Sequence, residues 1–520
     1  MLRGRRQALV LSFGVALLST LPYILAARTA PADTVFTGFL INPIDGFTYL
    51  AKMRQGAAGF WTLVLPYAPE PGPRALLYVY YLLLGQLSRI LSIDTILIFH
   101  LARIATATLM FYCAYLLCER LCTHRHVRWF AFGLILVGSG LGWLGIFASQ
   151  LESSDIIIPE SIPFLIAYSN AHFPLTASAL LTGILAALAD GWKLWRRVTF
   201  AALSGSILGA VLPFSFISLV VILGLWTTLE LWLTWKTKPH RSSLRYGLDM
   251  GIALCASILG ALPWLVYDLW LSRTHPVISV WNLQNQTPSP APIAYIIGFA
   301  PYLLFGALGI IRAKPWQTRT GRLLLVWLLS GAFLLYAPLD FQRRLSLGLA
   351  FPLAVLAAWG WGSISIRSEH RRLLAGTLIA LTSITNIFVV IVGLYGVVRG
   401  EPLVVFTGQE RESYRWINHN VPEDSLILAG EKTGNRLPAF ASVRVLYGHP
   451  FETPDAEMQA ALVASLYQDE GEGLDQLREL GITWVYFGQD ERRMGQPEWL
   501  TDLELRWQES DVAIYEVPPG

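Results

Sequence analysis

Long apolar runs, separated by short polar or basic stretches, dominate the first 398 of the 520 residues. Since a helix needs about 20 apolar residues to cross a bilayer, this pattern predicts a polytopic α-helical membrane protein with about eleven transmembrane helices. The predicted crossings lie near 7–27, 97–118, 129–149, 173–191, 198–212, 214–234, 246–268, 292–311, 322–337, 345–362 and 373–397.

A further apolar stretch, 75–92, determines the predicted orientation. If it crossed the bilayer completely, every later loop would change sides. Lys and Arg collect on the cytoplasmic side of membrane proteins. With 75–92 held on the outer side or re-entrant, the inner loops carry 20 of these residues and the outer loops before residue 398 carry seven. We therefore predict a multi-pass protein of the plasma (inner) membrane, with a cytoplasmic N-terminus and residues 399–520 outside.

The pattern changes after residue 398. Short, β-rich apolar runs alternate with helical patterns, which is typical of a small sheet flanked by helices. The strands are predicted at 425–429, 443–447, 483–487 and 512–517, and the helices at 410–420 and 455–480. The sequence thus predicts a transmembrane body, 1–398, with a long first outer loop, and a C-terminal soluble α/β domain, 399–520.

Composition and charge agree with this division. The chain is 54% hydrophobic and 14% charged, which is typical of integral membrane proteins. Residues 1–398 hold 29 lysines and arginines against 14 acids, a net charge of +15, and 399–520 hold 10 against 22, a net charge of −12. The sequence has no GxGxxG, P-loop or HExxH motif, so nothing indicates a nucleotide-driven pump.

Carboxylates concentrate in the loops that we predict to be outside. The first outer loop, 28–74, contains Asp45, after Pro43 and before a helix-like run, and Glu70, within a proline-rich turn. Asp45 has two interpretations: it caps the helix, or it faces a cavity as a base or metal ligand. Glu70 is either a solvated loop acid or a functional one. Two acids in one loop, each followed by an apolar helix, favour a function.

The second outer loop, 150–172, contains Asp155, Glu160 and His172 but no Lys or Arg. Either acid could assist a metal ion or an acceptor, or belong to a solvated acidic loop. His172 precedes Phe-Pro at the membrane edge, where a packed or capping role competes with metal ligation.

A pair of arginines, Arg343 and Arg344, lies in the predicted outer loop between the crossings 322–337 and 345–362. Adjacent outer arginines run against the positive-inside trend. Their planar donor forks suit a phosphate group, whereas the alternative is that they extend to lipid headgroups.

These motifs resemble the GT-C superfamily of polytopic glycosyltransferases, in particular the bacterial branch that is similar to protein O-mannosyltransferases and aminoarabinose transferases. Asp45 in IDGFTYLAKMRQG matches the family's essential Asp before a Tyr-containing helix, and Glu70 in PYAPEPGPRALLYVYYLLLGQL matches a second acid. HLARIATATL, with Arg103, is similar to the family's third apolar segment. The resemblance covers roughly the first 120 residues.

The resemblance implies a glycosyltransferase that moves a sugar from a polyprenyl-phosphate-linked donor to a protein, lipid or glycan acceptor on the outer face. Asp45 would be the base or a metal ligand, and Glu70 and Asp155 would assist the metal or the acceptor. Arg343 and Arg344 would stabilise the leaving phosphate. The implied partners are this donor, the acceptor and membrane lipid, with no nucleic acid, and a divalent metal ion is left open as a cofactor.

Two other classes stay open. A secondary transporter would need ionisable groups along a pathway at bilayer depth, but His100, Arg103, Asp249 and Asp268 do not cluster in the sequence. A non-catalytic envelope assembly protein with the GT-C fold is consistent with Gly46 after Asp45, where a second acid would favour an enzyme. A polymerase or ligase acting on lipid-linked glycans is a near variant of the same chemistry.

Overall fold

The computed structural model describes residues 2–147, 151–236, 241–365, 367–468 and 473–519. Parts of three sequence predictions fall outside these ranges: residues 148–149 of a predicted crossing, residue 150 of the second outer loop, and residues 469–472 of a helical pattern.

The described helices, in chain order, are α1 (Leu2–Leu18), α2 (Leu21–Thr29), α3 (Pro43–Ala57), α4 (Val79–Leu91), α5 (Thr95–Leu121), α6 (Arg125–Val137), α7 (Ser154–Ile157), α8 (Pro163–Tyr168), α9 (His172–Leu188), α10 (Leu194–Val211), α11 (Pro213–Lys236), α12 (Arg241–Thr274), α13 (Pro276–Gln284), α14 (Pro292–Gly298), α15 (Ala300–Ala313), α16 (Arg319–Leu334), α17 (Ala350–Gly362), α18 (Ser368–Thr382), α19 (Ile384–Val398), α20 (Gly408–Asn420), α21 (Glu431–Phe440), α22 (Ala456–Tyr467), α23 (Leu474–Glu479) and α24 (Gln489–Met494). The strands are β1 (Thr34–Phe36), β2 (Val405–Thr407), β3 (Leu426–Leu428), β4 (Arg444–Val445), β5 (Trp484–Phe487), β6 (Glu504–Glu509) and β7 (Val512–Glu516).

Seven helical segments of the described chain are long and apolar enough to cross a membrane, and α14 with α15, bent by 82°, would make an eighth. The seven are Leu2–Thr29, Thr95–Leu121, Arg125–Ile146, Pro213–Lys236, Arg245–Thr274, Gln342–Gly362 and His370–Val398. Each of the eleven predicted crossings overlaps at least one helix of the described chain. The count of eleven is not confirmed, because the predicted crossings on α9, α10 and α16 are not among these segments. Helices α9 with 17 residues and α16 with 16 are shorter than a crossing needs.

The apolar stretch 75–92, which determines the predicted orientation, contains α4, and this helix has only 13 residues. At about 1.5 Å per residue this helix reaches about 20 Å, against a hydrocarbon core of about 30 Å. The length of α4 therefore agrees with a segment that does not cross completely.

The chain divides into two compact units. We call the first the helical unit, which comprises Met1–Pro22, His100–Tyr267 and Thr287–Val392. The second, the mixed unit, comprises Tyr23–Phe99, Asp268–Gln286 and Gly393–Gly520. The mixed unit thus combines residues from both sides of the predicted domain boundary at 398/399, and the two-domain division stays a prediction.

A five-stranded sheet in the order β4-β3-β5-β7-β6 forms the centre of the mixed unit. Strand β3 pairs in parallel with β4 and β5, while β7 is antiparallel to β5 and β6. All four predicted strands are confirmed, and β6 is additional. Successive residues of β3 point to opposite faces, so Ile427 joins one hydrophobic cluster with Tyr414 of α20, and Leu428 joins another with Leu466 of α22.

Residues of the first predicted outer loop also belong to this unit. Strand β1 pairs antiparallel with β2, which aligns Thr34 with Thr407. The backbone N–H of Val445 donates to the carbonyl of Pro66 over 3.0 Å. The buried Tyr67 ring packs in the same hydrophobic cluster as Val445. The first loop is therefore part of the mixed unit's core.

Helices α3 and α4 cross at a point where two glycines face each other. A Cβ added to Gly56 would lie 2.3 Å from the carbonyl oxygen of Leu82, and one added to Gly85 would lie 2.0 Å from that of Met53. Since a real Cβ cannot approach so closely, only glycine permits this contact between backbones. The crossing fixes α3, which carries Asp45.

Candidate functional site

Asp45 lies in the first turn of α3, and Asn42 occupies the N-cap position. Pro43 begins the helix, a position where its missing N–H is no loss. The Asn42 side-chain amide donates a hydrogen bond to Oδ2 of Asp45. A carboxylate is favoured at this end of a helix because the unpaired N–H groups create a partial positive charge. Asp45 therefore belongs to the helix start without being its cap, and its side chain remains 36% exposed.

His449, from the turn after β4, holds the other carboxylate oxygen. Its Nε2 lies 3.1 Å from Oδ1 of Asp45, and only 3% of the His449 side chain is exposed. The turn is fixed internally, since the backbone N–H groups of Gly448 and His449 both donate to Oγ1 of Thr453. Asp45 is thus positioned by a residue 404 places later in the chain.

The hydrogen bonds of His449 define its tautomer. The backbone N–H groups of Phe451 and Glu452 both donate to Nδ1, each over 3.1 Å. A nitrogen that accepts these bonds carries no proton, so in the neutral ring the proton is on Nε2. His449 therefore donates Nε2–H to Asp45, which leaves the Asp45 carboxylate as the acceptor.

A buried ion pair lies two helical turns beyond Asp45 on α3. Nζ of Lys52 is 2.6 Å from Oε1 of Glu452, and the two side chains are 0% and 8% exposed. Lys52 also lies 3.8 Å from the centre of the Tyr78 ring, in cation–π geometry. Burial lowers the pKa of Lys52, while the charge of Glu452 opposes that shift. The pair anchors α3 to the turn that contains His449.

Tyr67 lies beside this cluster, with its ring centre 6.1 Å from that of His449. Its hydroxyl donates to the carbonyl of Asn435 over 3.0 Å. Burial raises the pKa of Tyr67 well above its usual value, and the charges of Glu452 and Asp45 add to the shift. The phenol is therefore a neutral, structural donor and not a titrating group.

Glu70, the second predicted catalytic acid, is exposed. Its proline-rich turn is held from two sides: Nε2 of His275 bonds the carbonyl of Pro73 over 2.8 Å, and the Arg444 guanidinium donates to the carbonyls of Ala68 and Pro69. The turn is thus rigidly attached to the mixed unit, and the Glu70 side chain extends from it.

Asp155, in the helical unit, is fully buried and surrounded by donors. Its carboxylate accepts from the hydroxyl of Ser139 over 3.0 Å and from the backbone N–H of Gly140 over 2.8 Å. The N–H of Gly142 and the hydroxyl of Ser153 complete the set. Four donors bond the carboxylate, which connects residues 139–142 to residues 153–155.

The other two residues predicted from the second outer loop are also in the helical unit. Glu160 is buried with 8% exposure, and His172 is buried with 6% at the first residue of α9. The His172 ring centre lies 4.1 Å from that of Phe173. Both residues are thus built into the protein interior.

The Arg343–Arg344 segment is fixed by backbone bonds in the helical unit. The N–H of Arg343 donates to the carbonyl of Thr287 over 3.1 Å, and the N–H of Thr287 donates to that of Asp340 over 2.6 Å. The Arg344 guanidinium lies 5.0 Å from the centre of the Phe214 ring. The residues that the structure describes offer the Arg343 guanidinium no hydrogen bond or ion pair, which leaves its donor fork available.

The side chains around Asp45 are not arranged to coordinate a divalent metal ion. His449 uses one ring nitrogen as a hydrogen-bond acceptor and the other as a donor, so neither offers a lone pair to a metal. Glu452 pairs with Lys52. Across the described ranges, no group of three or more His, Cys, Asp and Glu side chains could hold a metal ion.

Sequence reasoning placed α3 correctly but missed His449 and the Lys52–Glu452 pair. One signal was present: His449 lies two residues after the end of the predicted strand 443–447, in a Gly-His-Pro turn. Ligand-binding residues often follow the carboxyl ends of parallel strands, and β4 pairs in parallel with β3.

The chain is a polytopic integral membrane protein with the fold of GT-C glycosyltransferases. No known family model matches its sequence. No curated protein matches it either. The fold assignment rests on similarity to solved structures, seven of which share between 10% and 16% identity with the chain.

Three of these structures illustrate the likeness. The apo oligosaccharyltransferase of Archaeoglobus fulgidus superposes with a TM-score of 0.53 at 13% identity, over 98% of this chain and 74% of that one. ArnT from Cupriavidus metallidurans bound to undecaprenyl phosphate gives 0.53 at 11%, over 97% and 98%. Arabinofuranosyltransferase AftD from mycobacteria gives 0.58 at 14%, but this chain spans only 40% of its length. The archaeal enzyme has also been solved with zinc and sulfate.

Proposed function

We propose that this protein is a membrane glycosyltransferase that transfers a sugar from a polyprenyl-phosphate-linked donor to an acceptor on the outer face of the membrane. The observation that carries the proposal is Asp45: a partly exposed carboxylate at a helix N-terminus, with His449 and Asn42 each bonded to one of its oxygens. The GT-C fold supports it, as does undecaprenyl phosphate in the ArnT structure.

In the proposed reaction, Asp45 is the general base. It takes the proton of an acceptor hydroxyl, whose oxygen forms a bond to the anomeric carbon of the donor sugar. The bond from that carbon to the phosphate oxygen breaks, and the lipid phosphate leaves with the electron pair. A base fixed in orientation by two hydrogen bonds loses less freedom on reaching the transition state.

The remaining predicted residues fit this reaction to different degrees. Arg343 is proposed to bind the donor phosphate with its unused fork, and Arg344 to assist it. Glu70, which is exposed, is proposed to contact the acceptor. Asp155, Glu160 and His172 are buried, which favours a supporting role over direct contact.

The proposed orientation places the N-terminus in the cytoplasm and residues 399–520 outside, with the reaction at the outer surface of the plasma (inner) membrane. It rests on the distribution of lysines and arginines: the predicted inner loops carry 20 of them, and the predicted outer loops before residue 398 carry seven.

The test is the Asp45→Asn variant, with labelled polyprenyl-phosphate sugars as donors and release of label from the lipid as the readout. Asn keeps the size of the side chain but cannot act as a base. We expect transfer to fall at least about 100-fold, the lower range for general acid–base catalysis, in protein that is folded and inserted. Asp33→Asn is the matched control, since Asp33 is an exposed acid of the same loop.

Wild-type turnover by Asp45→Asn would remove Asp45 from catalysis. If the wild-type protein itself released no label from any donor tested, the secondary transporter and the non-catalytic assembly protein would become the better interpretations.

A further inference from the structure

A cavity of about 730 Å³ opens between α1 and α6 of the helical unit. Three arginines, one glutamine and three apolar side chains line it: Arg3, Arg6, Gln7, Val10, Leu11, Arg125 and Trp129. The residues assigned to the proposed transfer reaction are not among them, so the cavity needs a separate explanation.

The charge of the cavity is uncompensated. Arg3, Arg6 and Arg125 are exposed, and within the described part of the chain none of their guanidinium groups has a hydrogen bond or ion pair. Two neighbouring arginines behave differently: Arg5 lies 2.7 Å and Arg128 3.8 Å from the Glu119 carboxylate. The Glu119 carboxylate is therefore bound by Arg5 and Arg128, and it does not compensate the three positive charges around the cavity.

On both helices, the apolar side chains that line the cavity follow the arginines along the chain. Arg3 and Arg6 lie in the first turns of α1, and Val10 and Leu11 follow one turn later with 64% and 45% of their surface exposed. Arg125 begins α6, and Trp129 follows one turn later. Both helices belong to segments able to cross a membrane. Cations followed by apolar side chains along a spanning helix match the transition from headgroup to acyl chain.

We propose that this cavity binds an anionic glycerophospholipid, with its phosphate on the arginines and the start of an acyl chain against Val10, Leu11 and Trp129. Arginine presents a planar fork of donors that matches a phosphate group. A zwitterionic lipid would add the cationic group of its own headgroup to a cavity that already carries three positive charges. An inorganic anion would leave the apolar wall unused.

The experiment measures lipid binding to the purified full-length protein by native mass spectrometry. Phosphatidylglycerol and phosphatidylcholine with identical acyl chains are titrated separately, and inorganic phosphate is added as a competitor. We expect phosphatidylglycerol to bind at least about tenfold more tightly than phosphatidylcholine, and excess phosphate to displace it poorly.

The variant R3Q/R6Q/R125Q should weaken phosphatidylglycerol binding at least about tenfold, since one cation near a lipid surface contributes about 1 kcal/mol, or about fivefold. The matched control is R312Q/K314Q/R372Q, which removes the same charge from exposed residues outside the cavity. The control should bind phosphatidylglycerol like the wild type.

Equal binding of the two lipids, or equal losses in the two triple variants, would overturn the proposal. Efficient displacement by inorganic phosphate would show a free-anion site instead. If the cavity variant does not fold, Arg125→Gln alone replaces it, with an expected loss of about fivefold. No loss in that variant would also contradict the proposal.

Discussion

His449 donates its Nε2–H to the Asp45 carboxylate over 3.1 Å, although 404 residues separate the two in the chain. The same ring accepts two backbone N–H groups at Nδ1. The two halves of the imidazole thus have separate tasks: Nδ1 shapes the turn after β4, and Nε2 orients the acid on α3. We infer that His449 is a positioning residue for Asp45.

Two substitutions separate these tasks. In His449→Asn the amide oxygen can replace Nδ1 as the acceptor in the turn, but the shorter side chain has no donor that reaches Asp45. In His449→Gln the amide N–H can reach Asp45, but the acceptor in the turn is lost. We expect His449→Asn to lower kcat about tenfold with little change in KM or thermal midpoint. His449→Gln should keep more of kcat and lose more stability, as one or two buried N–H groups become unpaired.

His275 provides the control. Its Nδ1 also accepts two backbone N–H groups, from Val277 and Ile278, but its Nε2 faces the carbonyl of Pro73. His275→Asn should therefore leave kcat close to that of the wild type. Equal kcat losses in His275→Asn and His449→Asn, or no loss in either, would contradict a positioning role specific to His449.

The Lys52–Glu452 pair predicts strong coupling in a double-mutant cycle. Removing one partner leaves the other charge buried without its counterion, a cost of about 3–5 kcal/mol. We therefore expect Lys52→Met and Glu452→Gln each to lower the thermal midpoint strongly in detergent. The double variant should be more stable than either single one, because no buried charge remains. Additive losses would show that the two side chains act independently.

The same pair predicts a pH dependence. Burial lowers the pKa of Lys52 in the folded protein, so between that pKa and about 10.4, its unfolded value, the unfolded chain binds more protons. Folding stability then rises with pH across this window. Glu452→Gln removes the charge that opposes the shift and widens the window. The thermal midpoint of this variant should recover toward the wild type as the pH rises toward about 10.4.

Local patterns predicted the elements of the site but not its contacts. Helix α3 follows from Pro43 and the helix-like run after Asp45, and β4 and β5 follow from short β-branched and aromatic runs. The partners of Asp45 and Lys52 lie some 400 residues away, and no spacing in one sequence encodes such a contact. The number of crossings was also not predictable, because α9 and α16 are as apolar as crossing helices but shorter.

Substitution of Asp155 should lower the folding stability of the protein without changing the transfer reaction. Its carboxylate accepts from two hydroxyls and from two backbone N–H groups, those of Gly140 and Gly142. In Asp155→Asn the new amide N–H₂ must face at least one of these donors. We expect a loss of about 1–3 kcal/mol, measured as a lower thermal midpoint, with transfer per folded molecule nearly unchanged. A stable but inactive Asp155→Asn would instead show direct participation in the reaction.

Arg343 and Arg344 should differ in their effect on the donor. The described neighbours leave the Arg343 guanidinium without a hydrogen bond, whereas Arg344 lies against the Phe214 ring. If Arg343 binds the donor phosphate, Arg343→Ala should raise KM for the lipid donor by about 10- to 150-fold, which corresponds to one charged hydrogen bond of about 1.5–3 kcal/mol. Arg343→Lys should restore only part of this, because the ammonium lacks the planar fork. Arg344→Ala should have a smaller effect on KM.

Arg273→Ala, at an exposed arginine of a predicted outer loop, is the control for net charge. An unchanged donor KM in the double variant R343A/R344A would show that both residues only contact lipid headgroups.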